Sequence, residues 1–391
     1  MSSVINEDIL IPVGDKVLAA TELLNVQCVG HHLDKHSSQF GIPELEGRSV
    51  AVFGVLDRRT SEGKIPRELD TDAMRMELYK LMFGNWNLNI VDLGDVPAGN
   101  TKEDTEYAVK NIVEELLELN IVPLVLGTTQ DISYATYRAF DQKKVMVHMG
   151  LIDSKFDFGV GDELISELSY MSRIITKPPN NLRQLTQLGY QSYFVAQEVL
   201  DLSEQMNFET YRLGEVTKDI RSLEPILRGL DLVSMDMQAI KASEVGVYEH
   251  FSPNGFDGRE ICALARYSAM GDSLSLFGIY NIPNGEMTFA LLAQIVWYFF
   301  EGLNLRYSER PTLNDDNYVK YTVTTDIDAL TFYKSLVTNR WWLQVQPSTL
   351  DLPNMDDRYP FVIACDQEDY QMACANELPH RYILAQRRSQ I

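Results

Sequence analysis

The sequence predicts an α/β protein built around a central, mainly parallel β-sheet. From about residue 48, short apolar runs rich in β-branched residues alternate with amphipathic stretches, the pattern of repeated βα units. The apolar runs are continuous rather than alternating, as expected for parallel strands that are buried on both faces. A chain of 391 residues with 45% hydrophobic residues can bury a large core.

The predicted strands and helices alternate along the central part of the chain. The strands are residues 49–57, 88–94, 121–127, 144–153, 231–237 and 273–282. The helices are residues 73–82, 106–120, 132–140, 258–270 and 287–303. The last helix contains an apolar run of about a dozen residues, against roughly 20 needed to cross a bilayer, and it is flanked by Glu286 and Glu301. We therefore expect a buried core helix and no membrane insertion.

No long Gly/Ser linker interrupts the chain, which favours one α/β domain over residues 46–310 with appended ends. The N-terminal segment, residues 1–45, is expected to pack on the core. The C-terminal extension, residues 311–391, contains Trp341 and Trp342, and such aromatic anchors suit either packing on the core or a subunit interface. A protein partner is therefore expected to use the extension.

Charge and cysteine usage limit the functional class. The net charge of -22 repels polyphosphate backbones and anionic lipid surfaces, so we expect no nucleic-acid partner. Four scattered cysteines, with no C-x-x-C spacing, indicate reduced thiols rather than a zinc cage or a disulfide framework. The N-terminus lacks the basic start and apolar run of a signal peptide, so a cytoplasmic location is expected.

Polar side chains follow three of the predicted strands, at the carboxyl ends where ligands collect in α/β sheets. Gln130 follows strand 121–127, and Asp153 and Asp157 follow strand 144–153. Ser234, Asp236 and Gln238 share one face of the end of strand 231–237, because side chains alternate with a period of two. These strand ends offer oxygen ligands from three parts of the chain.

The order and context of these motifs resemble the ureohydrolase superfamily of arginase, agmatinase and formimidoylglutamase. That family carries Gly-Gly-Asp-His after one strand, Asp-Ala-His-x-Asp after the next and Ser-x-Asp-x-Asp further on. VPLVLGTTQDISYATYRAF and LDLVSMDM are similar to the first and last of these regions, and the resemblance covers roughly residues 48 to 305. It implies a three-layer αβα arginase-like fold, a homo-oligomer and a small amidine or amino-acid ligand.

The resemblance also implies a ligand set, in which six side chains hold two manganese ions that activate a bridging hydroxide. Asp153, Asp157 and Asp236 match that set, whereas Gln130 and Lys155 stand in place of histidines and Gln238 in place of an aspartate. Asp153, Asp157, Asp236 and Gln130 would form a single all-oxygen site suited to Mn²⁺, Mg²⁺ or Ca²⁺. A lysine ammonium has no lone pair for a metal, so the dinuclear manganese centre is not expected. Alternatively, the Lys155 ammonium bridges the carboxylates with no metal ion.

Two functional hypotheses follow. The first is a pseudoenzyme with a degraded metal site and a binding, regulatory or structural role. The second is an active metal-dependent C–N hydrolase, similar to formimidoylglutamase, that acts on an amidine or guanidine with at most one ion. Two further departures favour the first: no histidine lies between Asp157 and Ile175, and the position expected to be acidic falls near Tyr280–Pro283 and is not acidic.

The histidines have competing interpretations. His31, His32 and His36 lie close together, which suggests metal binding. His148, in the middle of a strand, is expected to be a hydrogen-bonded core residue. His250 lies in a loop near the family's substrate entrance and is a candidate substrate-binding residue. Ser234 is expected to support its strand rather than act as a nucleophile, because no histidine base neighbours it in the sequence.

Overall fold

The computed structural model describes residues 5, 7–60, 63–64, 68–143, 146–159, 169–312, 316–347 and 360–389. Within these ranges the chain forms a large α/β body and a smaller C-terminal module, which comprises residues 316–347 and 360–389. Residues 144–145, at the start of one predicted strand, and residues 160–168, in the histidine-free stretch after Asp157, lie outside the described residues.

A nine-stranded sheet forms the centre of the described α/β body, and every neighbouring pair of its strands is parallel. Its strands are β1 (Leu33–Lys35), β2 (Val50–Val55), β5 (Ile90–Val96), β6 (Val122–Gly127), β7 (Val147–Ile152), β8 (Leu182–Tyr190), β9 (Glu209–Arg212), β10 (Leu232–Asp236) and β11 (Leu276–Tyr280). A separate hairpin contains β3 (Arg59–Thr60) and β4 (Gly63–Lys64). The order across the sheet is β1-β5-β2-β6-β11-β10-β7-β8-β9.

The six predicted strands are confirmed as β2, β5, β6, β7, β10 and β11. Three further strands of the nine-stranded sheet were not predicted, for physical reasons that differ. Strand β1 has three residues and β9 has four, and both lie at edges of the sheet, so neither needs a long apolar run. Strand β8 is largely buried but contains Gln184, Thr186 and Gln187, which interrupt its apolar pattern.

The helices of the α/β body connect successive strands. They are α1 (Asp15–Thr21), α2 (Thr71–Tyr79), α3 (Lys102–Glu118), α4 (Ile132–Arg138), α5 (Tyr170–Thr176), α6 (Gln197–Gln205), α7 (Leu213–Lys218), α8 (Glu224–Arg228), α9 (Ala242–Val245), α10 (Gly258–Met270) and α11 (Glu286–Asn304). The five predicted helices are confirmed as α2, α3, α4, α10 and α11. Local sequence fixes where helices start: Asp257 and Glu260 form a reciprocal capping box at the start of α10, which satisfies two backbone N–H groups.

The helices cover both faces of the sheet and produce three layers. Strand side chains alternate between the faces, so Val52 packs in the core beneath α2, α10 and α11, whereas Phe53 packs in the core beneath α3, α4 and α5. The N-terminal segment joins both cores, since Val17 lies in the first and Leu10 in the second. The predicted fold class, a three-layer αβα structure with a parallel central sheet, is confirmed.

The C-terminal module has its own antiparallel sheet and its own core. Strands β12 (Tyr318–Thr324), β13 (Ala329–Ser335), β14 (Trp341–Gln344) and β15 (Val362–Cys365) pair in sequence order, and helices α12 (Gln367–Cys374) and α13 (His380–Ser389) follow. Phe332 and Trp341 lie in the core of the module. The module packs against α8, where Arg228 donates to the carbonyl oxygens of Trp341 and Cys365. The division of the chain at residues 45 and 310 stays a prediction.

The apolar helix α11 packs against α10 and α2 and contributes to the core on that face of the sheet. In the described ranges no helix combines the length and the apolarity that a bilayer crossing requires.

Candidate functional site

The polar strand ends converge because their strands are adjacent and parallel. Strands β6, β11, β10 and β7 are consecutive in the sheet, so their carboxyl ends lie at one edge. Gln130 follows β6 and its Nε2 donates to Ser234 Oγ in β10 at 3.3 Å. Asp236 ends β10, and Asp153 follows β7 directly. The structure therefore brings together the three segments that the sequence places far apart.

Asp153 is buried, and its two carboxylate oxygens have different environments. The Lys155 backbone N–H donates to Oδ1 at 2.9 Å, which forms a turn at the end of β7. Among the described residues, Oδ2 has no hydrogen-bond partner. Burial raises the pKa of Asp153 above its usual value, and the hydrogen bond from the Lys155 N–H offsets part of that rise.

Asp157 lies within electrostatic range of Asp153 and Asp236. Its backbone adopts φ of 48°, a conformation that non-glycine residues rarely adopt. Loss of solvation raises the pKa of Asp157 well above its usual value, and the charges of Asp153 and Asp236 raise it further. These carboxylates thus form one interacting group.

Asp236 repeats the arrangement of Asp153 at the end of the neighbouring strand. The Gln238 backbone N–H donates to its Oδ1 at 2.7 Å, and the side chain also lies within hydrogen-bonding range of Asn281. Burial raises the pKa of Asp236 well above its usual value, and the charge of Asp153 adds to the effect. We name Asp153, Asp157 and Asp236 the carboxylate cluster.

Lys155 lies beside the carboxylate cluster but does not bridge it. The Lys155 charge lowers the pKa of all three carboxyl groups, although this effect is smaller than that of burial. The ammonium therefore lies within electrostatic range of the carboxylate cluster. In the described part of the chain, Lys155 forms no ion pair within 4.0 Å, and Nζ lies 5.8 Å from the centroid of the Phe194 ring. The hypothesis that the ammonium directly bridges the carboxylates is wrong for this geometry, because the side chain extends toward the 190–194 loop.

Gln130 is buried, and its Oε1 has no hydrogen-bond partner among the described residues. Its amide nitrogen contacts Ser234, whose Oγ is also 2.8 Å from Ser133 Oγ. Ser234 therefore belongs to a hydroxyl and amide network that links β10 to α4. The contacts of Ser234 are those of a strand-supporting residue.

Several residues around the carboxylate cluster were missed from the sequence. Gln187, in β8, donates from Nε2 to the carbonyl oxygens of Asp153 at 2.9 Å and Lys155 at 2.8 Å, so it holds the turn after β7. Tyr170 is buried nearby, where burial and then the charge of Asp157 raise its pKa well above the usual value. Gly189 has φ of 93° and passes so close to Phe256 that a side chain would not fit. Recognition of β8 would have supplied the missing signal for Gln187 and Gly189.

The histidines lie in different environments. His31 Nε2 is 3.2 Å from the Leu24 carbonyl oxygen, His32 stacks on Phe83 with ring centroids 4.4 Å apart, and His36 Nδ1 is 3.0 Å from the Leu93 carbonyl oxygen. These three side chains thus have separate structural partners.

His148 is partly buried and is the second residue of β7. His250 is exposed and adopts φ of 64°, and Glu249 is 3.8 Å from its Nε2. A substrate contact for His250 stays a prediction.

The donor set fits two metal ions poorly. Across the residues that the structure describes, no three His, Cys, Asp or Glu side chains are arranged as a metal-binding group. Lys155 offers only N–H donors, and the Gln238 side chain is a neutral amide rather than a carboxylate. The unpaired oxygens Asp153 Oδ2 and Gln130 Oε1 are, however, oxygen donors of the kind that a single hard cation prefers.

Comparisons with known proteins agree on one family. Residues 49–299 match the family model described as the arginase family. No curated protein sequence matches this chain.

Solved structures share the fold over most of this chain. The formimidoylglutamase of Bacillus subtilis subsp. subtilis str. 168 has a TM-score of 0.61 at 18% identity, covering 70% of this chain and 91% of that one. The formiminoglutamase of Trypanosoma cruzi with Mn²⁺ has a TM-score of 0.61 at 17% identity, covering 69% and 98%. The agmatine ureohydrolase of Thermoplasma volcanium has a TM-score of 0.56 at 16% identity, covering 73% and 97%. At these identities the likeness establishes the fold alone.

Proposed function

This chain belongs to the arginase family, and we propose that it is a member whose centre for two metal ions has been lost, so that it binds a small molecule without hydrolysing it. The family model spans residues 49–299, which include every side chain of the carboxylate cluster. The proposal concerns what those side chains can hold.

The observation that carries the proposal is the position of Lys155. Its backbone N–H is bonded to Asp153, so the residue is fixed beside the carboxylate cluster, and its charge acts on all three carboxyl groups. At about 5 Å and an effective dielectric constant near 20, an ammonium and a divalent ion repel each other by roughly 7 kcal/mol. A second ion at this position would therefore bind very weakly.

The protein groups that remain offer little for hydrolysis. A pair of manganese ions in such a centre would supply an activated hydroxide. In this chain, none of the described contacts of the carboxylate cluster involves a histidine side chain, and Ser234 is bonded to Gln130 and Ser133 rather than to a base. Asp153 and Asp236 each use one oxygen to accept a backbone N–H, which fixes the strand ends. These contacts support binding and structure better than proton transfer.

A second candidate is a hydrolase that works with one divalent cation. The unpaired, buried Asp153 Oδ2 and Gln130 Oε1 favour it, since both are oxygen donors without a partner among the described residues. Metal analysis of the purified protein separates the candidates: about one equivalent of Mn²⁺, Mg²⁺ or Ca²⁺ per chain, lost in Asp153→Ala and Asp236→Ala, would favour the one-ion hydrolase. No bound ion would favour the proposal.

Activity is the first test. The purified full chain, incubated with Mn²⁺ and with arginine, agmatine or formiminoglutamate, is expected to release no urea, ammonia or formamide. The Bacillus subtilis formimidoylglutamase, assayed in parallel with formiminoglutamate, is the positive control. Turnover of a few molecules per second on any of the three compounds would overturn the proposal.

Restoration of the ligands is the second test. The triple variant Gln130→His, Lys155→His, Gln238→Asp is expected to bind two Mn²⁺ ions per chain, whereas the same variant with Asp153→Ala is expected to lose them. Lys155→His alone removes the repulsion without completing the set, so it serves as a matched control. Failure of a folded triple variant to bind manganese would show that these positions do not form the family's metal centre.

The remaining expectations concern assembly. The structural neighbours are proteins whose names describe enzymes of small molecules. By that analogy we propose a small amidine or amino-acid ligand and a homo-oligomer in the cytoplasm. Size-exclusion chromatography with light scattering measures the oligomeric state, and a purely monomeric chain would contradict it.

A further inference from the structure

A second polar site lies next to the carboxylate cluster. It is a cleft of about 270 Å³ beyond the carboxyl ends of β8 and β9, and we name it the polar cleft. The lining residues on which the argument depends are Tyr190, Gln191, Arg212, Lys241, Asn254 and Glu260. Its volume is slightly below the roughly 300 Å³ at which pockets for drug-sized ligands begin, so its ligand must be small.

The polar cleft is joined to the carboxylate cluster by the backbone. The Gln191 N–H donates to the Ser154 carbonyl oxygen at 3.0 Å, and Ser154 lies between Asp153 and Lys155. Phe194, three residues after Gln191, is the aromatic ring that faces Lys155 Nζ. The 190–194 loop therefore forms a wall between the two sites.

The walls of the polar cleft are held together by side-chain hydrogen bonds. Gln191 Nε2 donates to the Asn254 carbonyl oxygen at 3.0 Å, and Asn254 Nδ2 donates to Gln191 Oε1 at 3.3 Å and to Tyr193 Oη at 3.0 Å. Gly255 passes so close to the Ala239 carbonyl oxygen that a Cβ would lie 2.5 Å from it. Two loops from distant parts of the chain are thus fixed in one geometry before any ligand arrives, which reduces the entropy lost on binding.

The charge of the polar cleft is opposite to that of the chain. Arg212 and Lys241 both line it, and within the described ranges neither side chain forms an ion pair, although the chain has 56 Asp and Glu against 34 Lys and Arg. Glu260 also lines the cleft, but its Oε2 accepts the Asp257 N–H at 2.9 Å and is committed to the start of α10. The lining therefore carries two cations that form no ion pair within the described ranges and one carboxylate, which gives this small, preformed space a net charge of +1.

From this arrangement we infer that the polar cleft binds a small dicarboxylate of about four carbon atoms. The planar Arg212 guanidinium matches one carboxylate with two parallel hydrogen bonds, and the Lys241 ammonium attracts the other as a point charge. Neutral molecules of the same shape leave both cations without partners. The inference rests on the proposed binding function and supplies a ligand class for it.

The test uses succinate as the probe and the purified full chain. Isothermal titration calorimetry at constant ionic strength is expected to show one succinate per chain and no heat of binding with succinamide, its neutral analogue. Arg212→Ala and Lys241→Ala are each expected to weaken succinate binding at least about tenfold, because each removes a charge-assisted contact. Lys218→Ala, which removes an exposed cation in α7 outside the polar cleft, is the matched control and is expected to keep the affinity.

Three results would overturn the inference: no succinate binding, succinamide binding of equal strength, or equal weakening by Lys218→Ala. Inorganic phosphate that binds as well as succinate would also overturn it, because the site would then attract any anion. Circular dichroism checks that the variants are folded, and Arg212→Lys, which keeps the charge but loses the planar fork, replaces Arg212→Ala if that variant unfolds.

The proposed function fails on different evidence. Hydrolysis of arginine, agmatine or formiminoglutamate would overturn it even if succinate binds as expected. Conversely, a chain with no hydrolysis and no succinate binding would refute only the polar cleft.

Discussion

Arg228 provides the sharpest test of how the C-terminal module is held on the α/β body. It is the last residue of α8 and is buried at the junction with β14 and β15. Its Nη2 donates to the Trp341 carbonyl oxygen at 3.1 Å and to the Cys365 carbonyl oxygen at 3.4 Å. The guanidinium carbon also lies 4.7 Å from the centroid of the Trp342 ring. We predict that Arg228→Ala weakens the attachment of the module and lowers the free energy of unfolding.

The magnitude follows from these contacts. One well-placed hydrogen bond from a charged donor contributes roughly 1.5 to 3 kcal/mol, and the longer one contributes less. A buried cation–π contact adds up to about 2 kcal/mol. Part of this stabilisation is offset, because burial disfavours the charged guanidinium and lowers the pKa of Arg228. In addition, Arg228 Nε lies 3.3 Å from Glu224 Oε1 but is not aligned for a hydrogen bond. Glu224 also keeps Arg340 at 3.3 Å in the variant, so no carboxylate is left unpaired. The net loss should be about 3 kcal/mol.

Urea unfolding followed by tryptophan fluorescence measures the loss. Trp341 and Trp342 are two of the four tryptophans, so the signal reports on the module. Arg221→Ala is the matched control, because Arg221 is largely exposed and, among the described residues, forms its ion pair with exposed Asp219 alone. Its effect should be within about 0.5 kcal/mol. Equal stability of Arg228→Ala and wild type would refute the role of Arg228 as an anchor.

Three further predictions concern the rest of the molecule. Arg75→Ala leaves buried Asp92 and Asp95 without their shared cation, so the free energy of unfolding should fall by at least about 3 kcal/mol in urea melts. A loss under about 1 kcal/mol would contradict a stabilising role of these two ion pairs. Burial raises the pKa of Asp231 to about 6, so the folded state binds the proton of this carboxyl group more tightly than the unfolded chain does. The stability that the neutral carboxyl group contributes is therefore lost as pH rises from about 4 to 6. Asp231→Asn should therefore gain up to roughly 3 kcal/mol relative to wild type between pH 4 and pH 7 in thermal melts, and a pH-independent difference would oppose this account. Cys374 is exposed and the other three cysteines are buried, so a thiol reagent should label one thiol per native chain and four per denatured chain.

The central fold was predictable because burial on both faces leaves a strong pattern in the sequence. Strands β2 and β6 are entirely buried, and each is a continuous apolar run. Strand β8 is equally central to the site but was missed, because Gln187 is a buried polar residue whose partners are backbone carbonyls of another segment. A single sequence does not reveal such partners, since they depend on which strands become neighbours.

The candidate site was predictable in its positions and less so in its contacts. Parallel strands place their carboxyl ends at one edge, so the meeting of Asp153 and Asp236 follows from the strand assignments alone. The orientation of Lys155 does not follow, because it depends on Phe194 in a loop that comes after an unrecognised strand. The polar cleft was invisible for the same reason: Arg212 and Lys241 lie in unrelated segments that come together only through β8, β9 and the loop after β10.

The retention of the carboxylates without a recognisable metal centre has a structural explanation. Asp153 and Asp236 each accept the backbone N–H of the residue two positions later, a turn that ends a strand and that aspartate forms readily. Replacement by an apolar residue would leave those N–H groups without their partners, so each aspartate stabilises its strand end whether or not an ion is bound. Asp157 has no such turn contact among the described hydrogen bonds, and its positive φ is unfavourable for a non-glycine residue. The turns therefore do not explain why Asp157 is present. The variant Asp157→Gly distinguishes a structural role from a binding role. A more stable protein with unchanged ligand binding would mean that this carboxylate serves no function, whereas lost ligand binding would mean that it does.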